Sequence, residues 1–310
     1  MRRTTLLFAA PFFLSVAGCD STVGPEADGP VVNPAFNAHG AGAWHLATSV
    51  DLGGVSQLNT IALEGCPNES PDGRSLFFAS DRDGGLDIWV SHRDAQGEWG
   101  APEKLPPPVN TGAAEFCPTA LPGGGLLFVS TRATDNCGTG TADIYETRLH
   151  PALGWLEPQH LGCTVNSSGN EFSPSHVGAG GGMLFFSSDR AGQHALYVSH
   201  RGPGGAWGVP APVHELNLTG YNTVRPNVSQ DGREIVFDSD RPGGLGGFDV
   251  WVARRATPHA SWSAPWNPGA VINSTFNETR ASLSRDGRRL YFGSNRPGFQ
   301  GNSDLFVSRR

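Results

Sequence analysis

Short runs of β-branched and aromatic residues, bounded by Asp-Gly or glycine-rich turns, recur along most of this chain. The pattern is clearest from Arg225 to Arg254, where Val228 precedes a Gln230-Asp231-Gly232 turn and Glu234 to Ser239 reads as a buried strand. A glycine-rich loop, Pro242 to Gly247, then leads to a third alternating run, Phe248 to Val252. Asp-Gly supplies the positive φ that a tight hairpin needs, so the stretch predicts a three-stranded meander. The series returns at Asp72-Gly73 with Leu76-Phe77-Phe78 and Ile88-Trp89-Val90, and at Asp286-Gly287 with Leu290-Tyr291-Phe292 and Leu305-Phe306-Val307. Two weaker copies run from Leu126 to Tyr145 and from Met183 to Val198, with glycine runs in place of Asp-Gly.

An arginine follows the second strand of every copy, at Arg82, Arg132, Arg190, Arg241 and Arg296, at intervals of 50, 58, 51 and 55 residues. A tryptophan follows four of the meanders (Trp99, Trp155, Trp207, Trp262), and an asparagine stands ten or eleven residues beyond each (Asn110, Asn166, Asn217, Asn273). The Trp-to-Asn segment reads as a fourth, outer strand. Four strands at this period predict an all-β, five-bladed β-propeller of four-stranded antiparallel blades. The fifth copy ends at Arg310 without its Trp segment, while an unpartnered one, Trp44 to Asn59, opens the series. Pairing that N-terminal strand with the last meander closes the ring and removes two free sheet edges. Six blades are the alternative if a further unit is hidden in the sequence.

The first residues carry a different pattern. Met1-Arg2-Arg3 is basic, Leu6 to Val16 is apolar, and Val16-Ala17-Gly18-Cys19 resembles the lipobox of bacterial lipoproteins. The expectation is a signal peptide over residues 1–18 and a lipidated Cys19. A flexible tether rich in Gly, Pro, Ala, Asp and Asn would span 19–43, with the propeller over 44–310. This anchors the chain to the cell envelope, extracytoplasmic, through lipid alone.

Glycine at 42 residues, proline at 24 and a charged fraction of 16% leave little room for helices. Without the two signal arginines the chain has 20 basic and 29 acidic residues, a net −9, which argues against nucleic acid as a partner. With Cys19 lipidated, four cysteines remain. Cys66 and Cys117 occupy the same repeat position, and Cys137 and Cys163 both belong to the second unit, so the expected bridges are Cys66–Cys117 and Cys137–Cys163.

The Glu-x-x-Pro, Ser-x-Asp-Gly, Phe-x-Ser-Asp-Arg and Asp-Ile-Trp elements resemble the TolB-type, WD-like propeller repeats of bacterial envelope lipoproteins, over Trp44 to Arg310. The resemblance implies a monomeric binding or scaffold module for an envelope protein or peptide, with a cell-wall glycan as the other partner. TolB itself has an added α/β domain and six blades, so a Tol-system role does not carry over. Glu64, Glu115, Glu171 and Glu278 precede the innermost strands and form a candidate axial ring, able to hold calcium or a basic group. The alternative is that each is tied down by neighbouring loop amides. The five arginines are expected to bridge the strand aspartates Asp87, Asp143, Asp249 and Asp304.

No HExxH, Gly-x-Ser-x-Gly or phosphate-loop motif occurs, and lone His176 and His194 read as structural. Five-bladed glycosidases place carboxylates from several blades around a central pocket, but the four glutamates are near-equivalent and acid–base pairs need unlike environments. The expectation is therefore a non-enzymatic chain, with a carbohydrate-active enzyme (glycosidase or lyase) or glycan-binding propeller as the alternative.

Overall fold

The computed structural model describes residues 42–51, 57–133, 137, 142–178 and 182–310. The signal peptide, Cys19 and the tether up to residue 41 lie outside the described residues.

Five antiparallel sheets follow one another along the chain. Their innermost strands are Glu64–Glu69, Glu115–Leu121, Glu171–Val177, Thr223–Val228 and Glu278–Leu283. Each inner strand contacts those of the blades before and after it, and the fifth contacts the first, which makes a five-bladed propeller. The second and third strands of each blade pair without a break, as in Glu234–Ser239 against Asp249–Arg254. Outer strands are short, such as Glu103–Lys104 and Ala211–Pro212, and in blade four only a bridge between Val252 and Trp266 remains.

The ring closes where the pattern predicts. Thr48–Ser49 pairs antiparallel with the last strand, Thr48 opposite Val307 and Ser49 opposite Phe306, and so completes blade five. The alternating apolar faces of the meanders meet between blades, giving one apolar cluster per junction. Phe185 and Phe237 lie between blades three and four, and Phe78 and Tyr291 between five and one. These rings are at most 1% exposed, and burying each contributes roughly 2 to 3 kcal/mol.

Every innermost strand carries a β-bulge two residues after its first residue, and the bulged residue has positive φ although it is never glycine: Cys66 (51°), Cys117 (48°), Ser173 (50°), Arg225 (53°) and Arg280 (58°). A left-handed non-glycine residue is unfavourable by about 1 kcal/mol or more, and here the five are held around the axis by their neighbours. Two residues further on, a polar side chain bonds the adjoining blade. Asn68 Oδ1 accepts from Ala120 N (2.9 Å), Ser175 Oγ from Val228 N (2.9 Å) and Asn227 Oδ1 from Leu283 N (2.9 Å). Both expected disulfides are present, Cys66–Cys117 joining blades one and two at the axis and Cys137–Cys163 within the second unit.

Candidate functional site

The four glutamates do not open onto a shared ring. Each is fully buried and turned into its own blade. In blade three, Glu171 Oε1 accepts from Ser167 Oγ (2.6 Å), Ser188 Oγ (2.7 Å) and Arg190 Nη2 (2.9 Å), and Oε2 accepts from Ser167 N (3.0 Å). Glu64, Glu115 and Glu278 have the equivalent partners. The arginine also bonds a carbonyl of the preceding segment, Arg190 Nη2 to Val165 O at 2.6 Å, and lies over Phe186 and Tyr197. A calcium ion at these carboxylates would have to displace hydroxyl, amide and guanidinium donors that already fill them.

The expected Arg-to-Asp bridges are corrected accordingly: the arginines pair with the glutamates. The strand aspartates hold other groups. Asp87 binds Lys104 (2.6 Å), Asp143 meets His160 (3.2 Å), Asp249 accepts from Asn267 Nδ2 (2.8 Å), and Asp304 accepts from Gly301 N (3.2 Å). Blade four has Thr223 in place of glutamate, so Arg241 finds a hydroxyl at 3.1 Å where the other arginines find a carboxylate. Burial without that carboxylate lowers the Arg241 pKa to about 10.

A second arginine position went unnoticed in the sequence. Arg93, Arg201, Arg255 and Arg310 end their third strands and stack on the blade tryptophans, with guanidinium carbons 3.7 Å from Trp99, 4.6 Å from Trp207, 4.0 Å from Trp262 and 4.2 Å from Trp44. Three of them also donate to the turn glycine carbonyl, as Arg93 Nε does to Gly73 O (3.0 Å). In blade two the equivalent residue is Leu149, 49% exposed, and Trp155 has no guanidinium over it. Trp155 and Leu149 instead line a cleft of about 690 Å³ between blades one and two. Phe77, Asp72, His92, Glu103, Lys104 and Arg285 complete much of its wall. Ser70 Oγ (2.6 Å) and Arg74 N (3.1 Å) both donate to Asp72, which holds its carboxyl below the ordinary aspartate value. His92 Nδ1 shares a hydrogen bond with Ser75 Oγ (2.9 Å).

The axis itself is nearly closed. Its opening at the bulges has a volume of about 30 Å³, lined by the Cys66–Cys117 bridge, Ser173, Arg225 and Arg280 among others. That is room for about one water, not for a sugar ring. Beside it lies Asp238, fully buried, at a position where the other blades carry Ala79, Val129, Ser187 and Gly293. Asp238 Oδ2 accepts from Arg225 Nη1 (3.1 Å) and Arg280 N (2.7 Å), while Oδ1 has no partner. Burial raises the Asp238 pKa to about 6 against the pull of Arg225, and it lowers that of Arg280 to about 9. His194 packs on Phe172 and His176 on Trp207, and burial lowers the pKa of both.

No protein-family model matches the chain, and no curated protein does. Solved structures do match. An α-L-arabinofuranosidase from Lactobacillus brevis is 13% identical at a TM-score of 0.53, over 80% of this chain and 90% of that one. The catalytic domain of the Coprinopsis cinerea GH62 α-L-arabinofuranosidase is 14% identical at a TM-score of 0.54, over 87% and 97%. A putative TolB from Agrobacterium tumefaciens is 18% identical at a TM-score of 0.47, over 86% and 92%. At these identities the shared property is the propeller fold. The neighbours nonetheless overturn the expectation of a non-enzymatic chain, because the matched folds above a TM-score of 0.5 include glycoside hydrolases. Near-equivalence of four repeat glutamates was no ground for setting enzymes aside, since those residues are internal ties.

Proposed function

We propose that this chain is a carbohydrate-active propeller that binds a glycan in the cleft between blades one and two and hydrolyses it there. The observation that carries this reading is Trp155. It is the one blade tryptophan of the five without a stacked arginine among the described residues, and it lines a cleft of ligand size. A flat aromatic face beside hydroxyl-binding polar groups suits a sugar ring, whose C–H face is apolar and whose edge is polar. Asp72 and Glu103 are the two carboxylates of the lining and so the acid–base pair available for glycosidic cleavage. Ser70 and Arg74 hold Asp72 in its turn and ionised, so it suits stabilising developing positive charge, and exposed Glu103 is the carboxylate placed to exchange a proton with the glycosidic oxygen. The axis, where five-bladed glycosidases place their carboxylates, is nearly closed here, so the likeness to glycoside hydrolases guides only the choice of substrates, arabinofuranosides and xylo-oligosaccharides first.

Reducing-sugar release from a panel of plant and cell-wall glycans tests the proposal, with Glu103→Gln and Trp155→Ala beside the wild type. Release that is lost in E103Q and needs a much higher substrate concentration in W155A is expected. Release unchanged in both, or none from any glycan, would sink it. The same reading places the protein on the extracytoplasmic side of a bacterial envelope through lipidated Cys19. Cys19→Ala should then move it from the membrane to the soluble fraction and abolish metabolic labelling with palmitate.

A further inference from the structure

The axial cluster is built in one sector only. At the bulge the five blades carry Cys66, Cys117, Ser173, Arg225 and Arg280, and Asp238 is introduced beside the two arginines. Gly65 stands where the other blades have Phe116, Phe172, Val224 and Thr279, and this lets Arg280 cross toward blade one. A Cβ at Gly65 would lie 3.1 Å from Arg280 Cδ and 3.4 Å from its Nη1. Asp238 pairs with the guanidinium of Arg225 and takes only the backbone N–H of Arg280, so the two arginines beside one carboxylate leave an excess of one positive charge.

The donors are not used up. Among the described residues the Arg280 guanidinium makes one long hydrogen bond, Nη1 to Thr279 Oγ1 at 3.4 Å, and the Arg225 guanidinium hydrogen-bonds only Asp238, while lying over Phe248. Ser173 Oγ has no partner and lines the same opening. Buried cations lacking full pairing are costly, and a hydroxyl in such a place needs an acceptor. The opening, with room for about one water, admits the oxygen end of an oxyanion while its carbon and the body carrying it stay outside.

We propose that Arg225, Arg280 and Ser173 form an oxyanion site at the propeller axis that takes a carboxylate group. The planar fork of arginine matches a carboxylate with two parallel N–H···O bonds, and Ser173 adds a third donor. The site is separate from the cleft and stands whether or not the cleft binds glycan. The carboxylate has two sources, a free small acid or the acid group of a uronic sugar, and these are told apart by the probe.

The test is thermal unfolding of the full chain at pH 7 in sodium acetate, sodium glucuronate or sodium chloride of equal ionic strength. The same series is run on Arg280→Gln and, since loss of a buried charge can prevent folding, on Arg280→Lys, which keeps the charge without the fork. A Tm raised by about 5 °C at a hundredfold excess over the dissociation constant is expected. The half-saturating concentration should rise about tenfold or more in either variant. A rise with acetate and glucuronate alike supports the site and a free acid as sufficient ligand. A rise with glucuronate alone supports the site and an acidic sugar. No rise above chloride with either salt, or a rise of unchanged half-saturation in both variants, overturns the proposal.

Discussion

Replacing Glu171 by glutamine separates an internal tie from a ligand site. The amide carbonyl can keep the three donors at Oε1, namely Ser167 Oγ, Ser188 Oγ and Arg190 Nη2. Its NH2 then faces Ser167 N–H, 3.0 Å from the replaced oxygen, and two donors oppose each other in a place with no exposure. A buried donor left unsatisfied costs about 1 to 3 kcal/mol, and turning a charge-assisted bond to Arg190 into a neutral one adds about 1 to 2. The sum, about 2 to 5 kcal/mol, overlaps the 3 to 5 typical of breaking a buried ion pair. Urea unfolding should show this as a lower midpoint at unchanged slope, and Tm should fall by about 10 °C. Thr223→Val, which removes only the 3.1 Å bond to Arg241, should cost about 1 kcal/mol. A loss below about 1 kcal/mol for E171Q, or a calcium-dependent rise in Tm present in the wild type and absent in E171Q, would refute the reasoning.

The tryptophans give a contrast: Trp262→Ala, which strips Arg255 of its stacking partner in a packed junction, should cost at least 3 kcal/mol in urea unfolding. Trp155→Ala should cost less stability, since its ring is only partly buried against its own junction, while weakening glycan binding about thirtyfold, from roughly 80 Å² of ring face lost at 25 cal/mol per Å². Removing the Cys66–Cys117 bridge, with its sequence separation of 51, should lower stability by about 4 kcal/mol on the loop-entropy account, measured with both cysteines replaced by alanine. Asp238 is a raised acid, about 6 when folded against 3.8, so the folded state holds its proton more tightly. Its contribution to stability is full below pH 3.8 and is lost as pH rises toward 6, by about 3 kcal/mol in all. Asp238→Asn should remove that slope from the pH dependence of unfolding, Arg225, Arg280 and nearby His194 being the charged or titratable groups around it. An identical slope in D238N would mean that another group titrates.

The ring was legible because a repeat states its own period and its own closure. Arg82 to Arg296 marked the units, and the stray Trp44 segment predicted the strand that pairs with Asp304–Arg309. The glutamates were misplaced because a residue at the start of an inner strand can face the axis or the blade, and position alone does not say which. The deciding signal was present in two further columns: a Ser two residues before each arginine, and a Thr or Ser four residues before each glutamate. Together they supply the donors that turn the carboxylate inward. The axial cluster and Trp155 are visible only in single columns of the repeat: the bulge column holds Cys, Cys, Ser, Arg, Arg, and the column that caps the tryptophans holds Arg93, Leu149, Arg201, Arg255, Arg310.

Repetition and chemistry therefore pull in opposite directions along this chain. What recurs in nearly every blade, the glutamate and arginine tie, the asparagine that clamps the third strand through Oδ1 and Nδ2, and the arginine stacked on tryptophan, fixes the backbone and leaves few donors or acceptors to spare. Sites arise where one blade departs from the pattern and the tie is not made. Leu149 leaves Trp155 without a guanidinium at a cleft, and Arg225, Arg280 and Asp238 leave positive charge in excess at the axis. Both departures sit on strands held by the ties of the same and adjoining blades, so their geometry is set before any ligand arrives. Restoring the pattern is then the sharpest way to erase a site without unfolding the ring. Leu149→Arg should cap Trp155 as Arg93 caps Trp99, and it should close the cleft to ligand while leaving stability unchanged or higher.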